Sequence, residues 1–144
     1  MSAYSKKLRW LCVRIMSAIV ESLGLPTNKY TVENGYSDEG NQVMVLNYYL
    51  ACPEPELTLG IPPHSDYGCV TILFQDSVGG FQLQHDGEWK SVQPLPNSFI
   101  VNIGDQTEVL INITNNCIMA FVYLLLNIPI SLYCSYTIYH TFRS

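Results

Sequence analysis

The chain is 144 residues long, room for one ordinary domain or a piece of a larger one. It is 48% hydrophobic and only 13% charged, against about 25% charged in a typical soluble domain, so disorder is excluded and a sizeable core is expected. Seven Lys and Arg against twelve Asp and Glu leave a formal charge of -5, the wrong sign for a surface that neutralises nucleic-acid phosphates.

In chain order, Leu8, Leu11, Cys12, Ile15, Ile19 and Leu23 recur at three- and four-residue spacing. That pattern predicts one amphipathic helix from Ser2 to Leu23, ended by Gly24 and Pro26. Its Lys6, Lys7, Arg9 and Arg14 superficially resemble a transit peptide, but a packing helix with its basic residues in water accounts for them equally well. Residues 27–42 are polar, carry Gly35 and Gly40, and read as a loop. Short strands follow at Val43 to Tyr49, Cys69 to Phe74, Gly80 to Gln84, Ser91 to Val92 and Ser98 to Ile103, punctuated by Gly79-Gly80, Asp86-Gly87 and Pro94-Leu95-Pro96. This spacing predicts a mainly β sandwich or barrel behind an N-terminal helix.

After Glu108 no Asp, Glu, Lys or Arg occurs until Arg143, and Cys117 to Leu126 is an unbroken apolar or aromatic run of ten residues. A membrane span would need about 20, so no membrane partner is expected. The five cysteines are odd in number and contain no CxxC pair, which fits a reduced cytoplasmic setting. The Asn112-Ile113-Thr114 sequon matters only in a secreted chain.

The sharpest chemical signal is His64-Ser65-Asp66. In a strand, residues i and i+2 share a face, so the imidazole and the carboxylate could converge on one cation. With a second histidine from a distant strand they would form the two-His, one-carboxylate triad of non-haem Fe(II) oxygenases. Alone, the triplet is a weak motif. It lies, however, within an ordered series: Asn47-Tyr48-Tyr49, Cys52-Pro53-Glu54-Pro55-Glu56-Leu57, Gly60, His64-Ser65-Asp66, Thr71-Ile72-Leu73, Gln75-Asp76, Val78-Gly79-Gly80, Gly87-Glu88-Trp89 and Asn102-Ile103-Gly104-Asp105. This series resembles the catalytic domain of the plant Fe(II)- and 2-oxoglutarate-dependent dioxygenases from about Tyr4 to Asn112.

The resemblance implies a partial double-stranded β-helix, or jelly roll, and chemistry in which a small organic metabolite is oxidised with release of succinate and carbon dioxide. It implies His64 and Asp66 as iron ligands, and Asn47 and Tyr49 as residues beside the 2-oxoglutarate cosubstrate; amide and phenol groups suit that task because both hydrogen-bond to carboxylates. Trp89 and Asp105 are read as structural, Phe74 and Phe81 as packing residues that could also face substrate, Pro62 and Pro63 as fixing the entry to His64, and His85 as a turn residue.

The pattern departs after Asn112. The family has Asn-Gly, Tyr-Lys-Ser, a distal His-Arg pair and then an Arg-x-Ser motif for the far carboxylate of 2-oxoglutarate. Here Ala120 and Phe121 stand where His and Arg are expected, and neither can ligate iron or replace a guanidinium. The one remaining arginine, Arg143, precedes Ser144 directly, and His140 could serve as a third ligand only by an unrelated convergence. The expected division is therefore a helical segment and loop over 1–40, a partial dioxygenase domain over 41–112, and a tail over 113–144 that departs from the family, as from a retained intron, a shifted frame or a mistaken gene model. The N-terminal part also looks short for the family. Two readings stand: a dioxygenase fragment, and an inactive truncated remnant lacking the distal His and the Arg. Either exposes strand edges that invite homotypic association.

Overall fold

The computed structural model describes residues 2–26, 40–113, 122–125 and 135–142. Helix α1, Ser2–Ser22, buries Leu8, Leu11, Cys12, Val13, Met16 and Val20, with Leu23 buried just beyond its end; of the residues the spacing marks, Ile15 and Ile19 are only partly buried. It stops where expected. Gly24 takes a left-handed φ of 69°, and its amide donates to Glu21 O at 3.0 Å while Leu25 N donates to Val20 O at 3.1 Å, the paired bonds that satisfy a helix's last carbonyls around a left-handed glycine.

Among the described residues seven strands follow: β1 Gly40–Asn47, β2 Val70–Phe74, β3 Gln82–His85, β4 Glu88–Ser91, β5 Ser98–Ile103, β6 Val122–Leu125 and β7 Ser135–Phe142. A second helix, α2 Asp105–Ile113, lies between β5 and β6. Strands β1-β7-β2-β5-β6 form one sheet in that order, antiparallel throughout. β3 and β4 form a separate hairpin, whose turn residues Asp86 and Gly87 both have positive φ, 51° and 79°. Such a two-residue turn matches the right-handed twist of its strands.

The core lies between α1 and the sheet. Leu8, Leu11, Cys12 and Met16 meet Val70 and Ile72 of β2 and Phe99 and Val101 of β5, in each strand alternate residues that share a face, together with Cys69 just before β2. Phe74 joins edge-on to Phe99, ring centroids 5.8 Å apart. Each buried aliphatic side chain contributes about 1.5–3 kcal/mol, so the α1–β2–β5 unit holds the described residues together.

The fold is thus a mixed α/β arrangement, a partial and unclosed double-stranded β-helix with an N-terminal helix. One expectation needs correction. Residues 40–42, read as loop, belong to β1, because Gly40, Asn41 and Gln42 pair with Phe142, Thr141 and His140; the rest of that loop, 27–39, lies outside the described residues. Beyond residue 113 the described residues form β6 and β7, and β7 pairs with both β1 and β2. Among the described residues, no helix is long and apolar enough to cross a membrane.

Candidate functional site

His64, Ser65 and Asp66 sit in an extended segment outside any strand, so the two-residue strand periodicity is not what aligns them. Local bonds do so instead. His64 Nδ1 lies 2.9 Å from Pro62 O, and since a carbonyl only accepts, that nitrogen carries the proton. Nε2 is left facing Asp66 Oδ1 at 3.5 Å, with the imidazole half exposed and the carboxylate largely covered. Pro62 therefore does contribute to presenting His64, through its carbonyl.

The segment is clamped to the start of α2. Asp105 N donates to Asp66 O at 2.8 Å, Gly104 N to Cys69 O at 2.9 Å and Gln106 N to Gly68 O at 3.2 Å. Ser65 Oγ donates to Asp105 Oδ2 at 3.0 Å, and the Cys69 thiol to Gln106 Oε1 at 3.1 Å. The buried Thr107 hydroxyl donates to Cys69 O at 2.8 Å. The approach requires glycine at 104: a Cβ there would lie 2.8 Å from Asp66 O and closer still to Gly68 O. Asp105 is structural, as expected from sequence. Its partner Ser65 and helix α2 were missed, although Asp105 and Glu108 in the first turn are the acidic signal that favours a helix N-terminus.

The other predicted residues stand differently. Asn47 ends β1 and is half-buried. Tyr49 follows it with 55% of its surface exposed, its ring against Gly60, where an added Cβ would lie 2.9 Å from Cε1. Trp89, expected to be structural, is 51% exposed on β4. His85 closes β3 at the hairpin turn, 3.4 Å from the Asp86 carboxylate. Phe81 is half-buried.

Two donors from one segment do not make a metal centre. Among the described residues, no group of three or more His, Cys, Asp and Glu side chains could hold a metal ion. The reading of this chain as a working iron dioxygenase, with Fe(II) at His64 and Asp66 and 2-oxoglutarate as cosubstrate, is corrected accordingly. A facial triad needs a further ligand from a distant strand, and the position where the sequence pattern expects it holds Ala120. His140 stands in the β7 register opposite Gln42 and Val70. The described residues do not fit the metal that the resemblance implies.

The unclosed β-helix, with a His-x-Asp segment leading into β2, defines the oxygenase class of jelly roll by architecture. The chain belongs to the 2OG-Fe(II) oxygenase superfamily, whose family model matches residues 40–117. It is 47% identical over 109 residues to Protein DMR6-LIKE OXYGENASE 2 of Arabidopsis thaliana, covering 76% of this chain and 30% of that protein. It is 41% identical over 111 residues to oxoglutarate-dependent flavonoid 7-O-demethylase 1 of Ocimum basilicum, covering 76% and 29%. The crystal structure of JOX2 in complex with 2OG, Fe, and JA superposes with a TM-score of 0.77 at 36% identity, over 99% of this chain and 41% of that one. The chain thus spans about 30% of the length of the curated relatives it matches.

Proposed function

We propose that this chain is a non-catalytic member of the superfamily, retaining the segment that presents His64 and Asp66 without the donor set that iron and 2-oxoglutarate require. The observation that carries this reading is the two-residue donor pair with no third donor among the described residues. The sequence adds weight, with Ala120 and Phe121 at the positions of the distal His-Arg pair. His64 and Asp66 are then the surviving iron-facing pair, and Asn47 and Tyr49 what remains of the cosubstrate side. A cytoplasmic setting is supported by Cys12 and Cys52, which form no disulfide among the described residues. Homotypic association is supported by β1, an outer strand of the described sheet with Val43 and Leu46 44% and 47% exposed.

The test is anaerobic titration of the folded chain with Fe(II) in the presence of 2-oxoglutarate, together with an assay for succinate under air. We expect no saturable visible charge-transfer band and no succinate above a protein-free control. A saturable band that disappears in both His64→Ala and Asp66→Ala would overturn the proposal.

A further inference from the structure

Two exposed surfaces of opposite charge have no role in the core or in the clamp. The first is the outer face of α1, where Lys7, Trp10 and Arg14 follow one another at three- and four-residue spacing and so share a face. All three are exposed. Trp10 is 54% exposed, and the Arg14 guanidinium lies over its ring, 5.4 Å from the centroid. No acidic residue precedes Glu21 in the chain. Large aromatic residues and arginine are the side chains that most often anchor protein contacts.

The second surface is the segment between β1 and His64. Leu50, Leu57, Leu59 and Ile61 are 77%, 79%, 77% and 52% exposed. A single 3-10 turn, Pro55–Leu57, holds the middle of the segment, and Glu54 and Glu56 are exposed beside the leucines. Residues 48–67 contain Glu54, Glu56 and Asp66 and no Lys or Arg. Apolar side chains this exposed and this closely grouped mark a contact surface.

From this complementarity we propose that the chain self-associates head to tail, the Lys7–Trp10–Arg14 face of one copy docking on the acidic, leucine-rich 50–61 segment of the next. The occupant is a second copy because the chain itself carries both halves of the match. The net charge of -5 opposes association of copies at long range, but within a Debye length of about 10 Å at 0.1 M salt the local pairing of opposite charges dominates. Because the two surfaces differ, the contact is heterologous and repeats, giving rings or open chains rather than a closed pair. This contact differs from pairing of strand edges, and it holds whether or not the chain binds iron.

Sedimentation velocity on the full chain tests it with two double variants, Lys7→Glu/Arg14→Glu and Glu54→Lys/Glu56→Lys, whose substitutions are all on the surface; circular dichroism verifies that both fold. Wild-type protein is expected to form species beyond the dimer that weaken as salt rises from about 10 mM to 1 M, the range over which the Debye length shrinks from about 30 to 3 Å. Each double variant alone should associate at least about tenfold more weakly, since each juxtaposes like charges. Mixing the two in equal amounts should restore assembly, because each reversed surface then meets its complement, and Trp10→Ala should weaken assembly of the wild type. A monomer at every salt concentration would overturn the proposal. So would assembly indifferent to both charge reversals, which would indicate edge pairing, or a mixture no stronger than its separate components.

Discussion

Replacing Gly104 by alanine should destabilise the protein strongly. The added Cβ would meet Asp66 O at 2.8 Å, whereas ordinary contact begins at 3.4 Å, and the Gly68 carbonyl is nearer still. Restoring contact on the Asp66 side alone requires the segments to part by at least the difference, 3.4 - 2.8 Å. Clearing the nearer Gly68 carbonyl demands a larger parting still, and the three backbone bonds that join them, now 2.8, 2.9 and 3.2 Å, would then stretch beyond useful length. Two or three lost bonds at about 1 kcal/mol each, plus about 1–3 kcal/mol for overpacking, sum to about 3–6 kcal/mol. Domain stabilities are only about 5–15 kcal/mol. With a urea slope of about 1–3 kcal/mol per molar, the midpoint should fall by at least about 1 M. The control is Gly87→Ala, where nothing lies within 4 Å and the left-handed φ of 79° alone should cost about 1–2 kcal/mol. If Gly104→Ala loses less than about 1 kcal/mol, or no more than Gly87→Ala, the close approach of α2 to the His-Ser-Asp segment is wrong.

Two further outcomes follow from the same geometry. Thr107→Val keeps the shape of a side chain that is 1% exposed but removes the hydroxyl bonded to Cys69 O; urea melts should show a loss of about 1–2 kcal/mol, and an unchanged midpoint would count against that bond. The cysteines should separate by reactivity. Burial, reinforced by neighbouring Cys69, pushes the Cys12 thiol up to about 12, whereas the Thr58 hydroxyl beside the exposed Cys52 sulfur, and then the Glu54 backbone, lower that thiol. A disulfide reagent at mild alkaline pH should therefore modify Cys52 and spare Cys12 until unfolding, and equal rates would refute this. Between pH 9 and 12 the unfolded chain releases the Cys12 proton that the folded chain keeps, so this residue's contribution to stability falls as pH rises through that window.

How far the sequence speaks for the fold depends on where each element's partners lie. Helix α1 is legible because its apolar stripe and the Gly24 stop are local signals, and Ser98–Ile103 is legible because an apolar, β-branched run is bounded by Pro96 and Gly104. The first residues of β1 are not legible, because Gly40, Asn41 and Gln42 have no strand preference of their own and are extended by pairing with a strand nearly 100 positions away in sequence. The place of β7 within the sheet escaped for the same reason. At the site, His64 Nε2 and Asp66 Oδ1 lie 3.5 Å apart, and the Pro62 carbonyl and the α2 clamp set that approach, not strand periodicity. Such long-range clamps leave no local periodicity to read.

The position of β7 also bears on how the chain assembles during synthesis. β2 ends at Phe74 and β7 begins at Ser135, yet β7 occupies the place between β1 and β2. While the intervening residues are being made, α1, β2 and β5 can already collapse together, because their contacts need nothing further downstream. β1 has no described strand neighbour until β7 emerges. Among the described residues, the edges of β1 and β2 that β7 joins therefore wait until Ser135 and the residues after it have been made. Such late pairing across long sequence separation slows folding and leaves intermediates open to aggregation, so yield in the cell should depend on chaperone supply more steeply than the finished core would suggest.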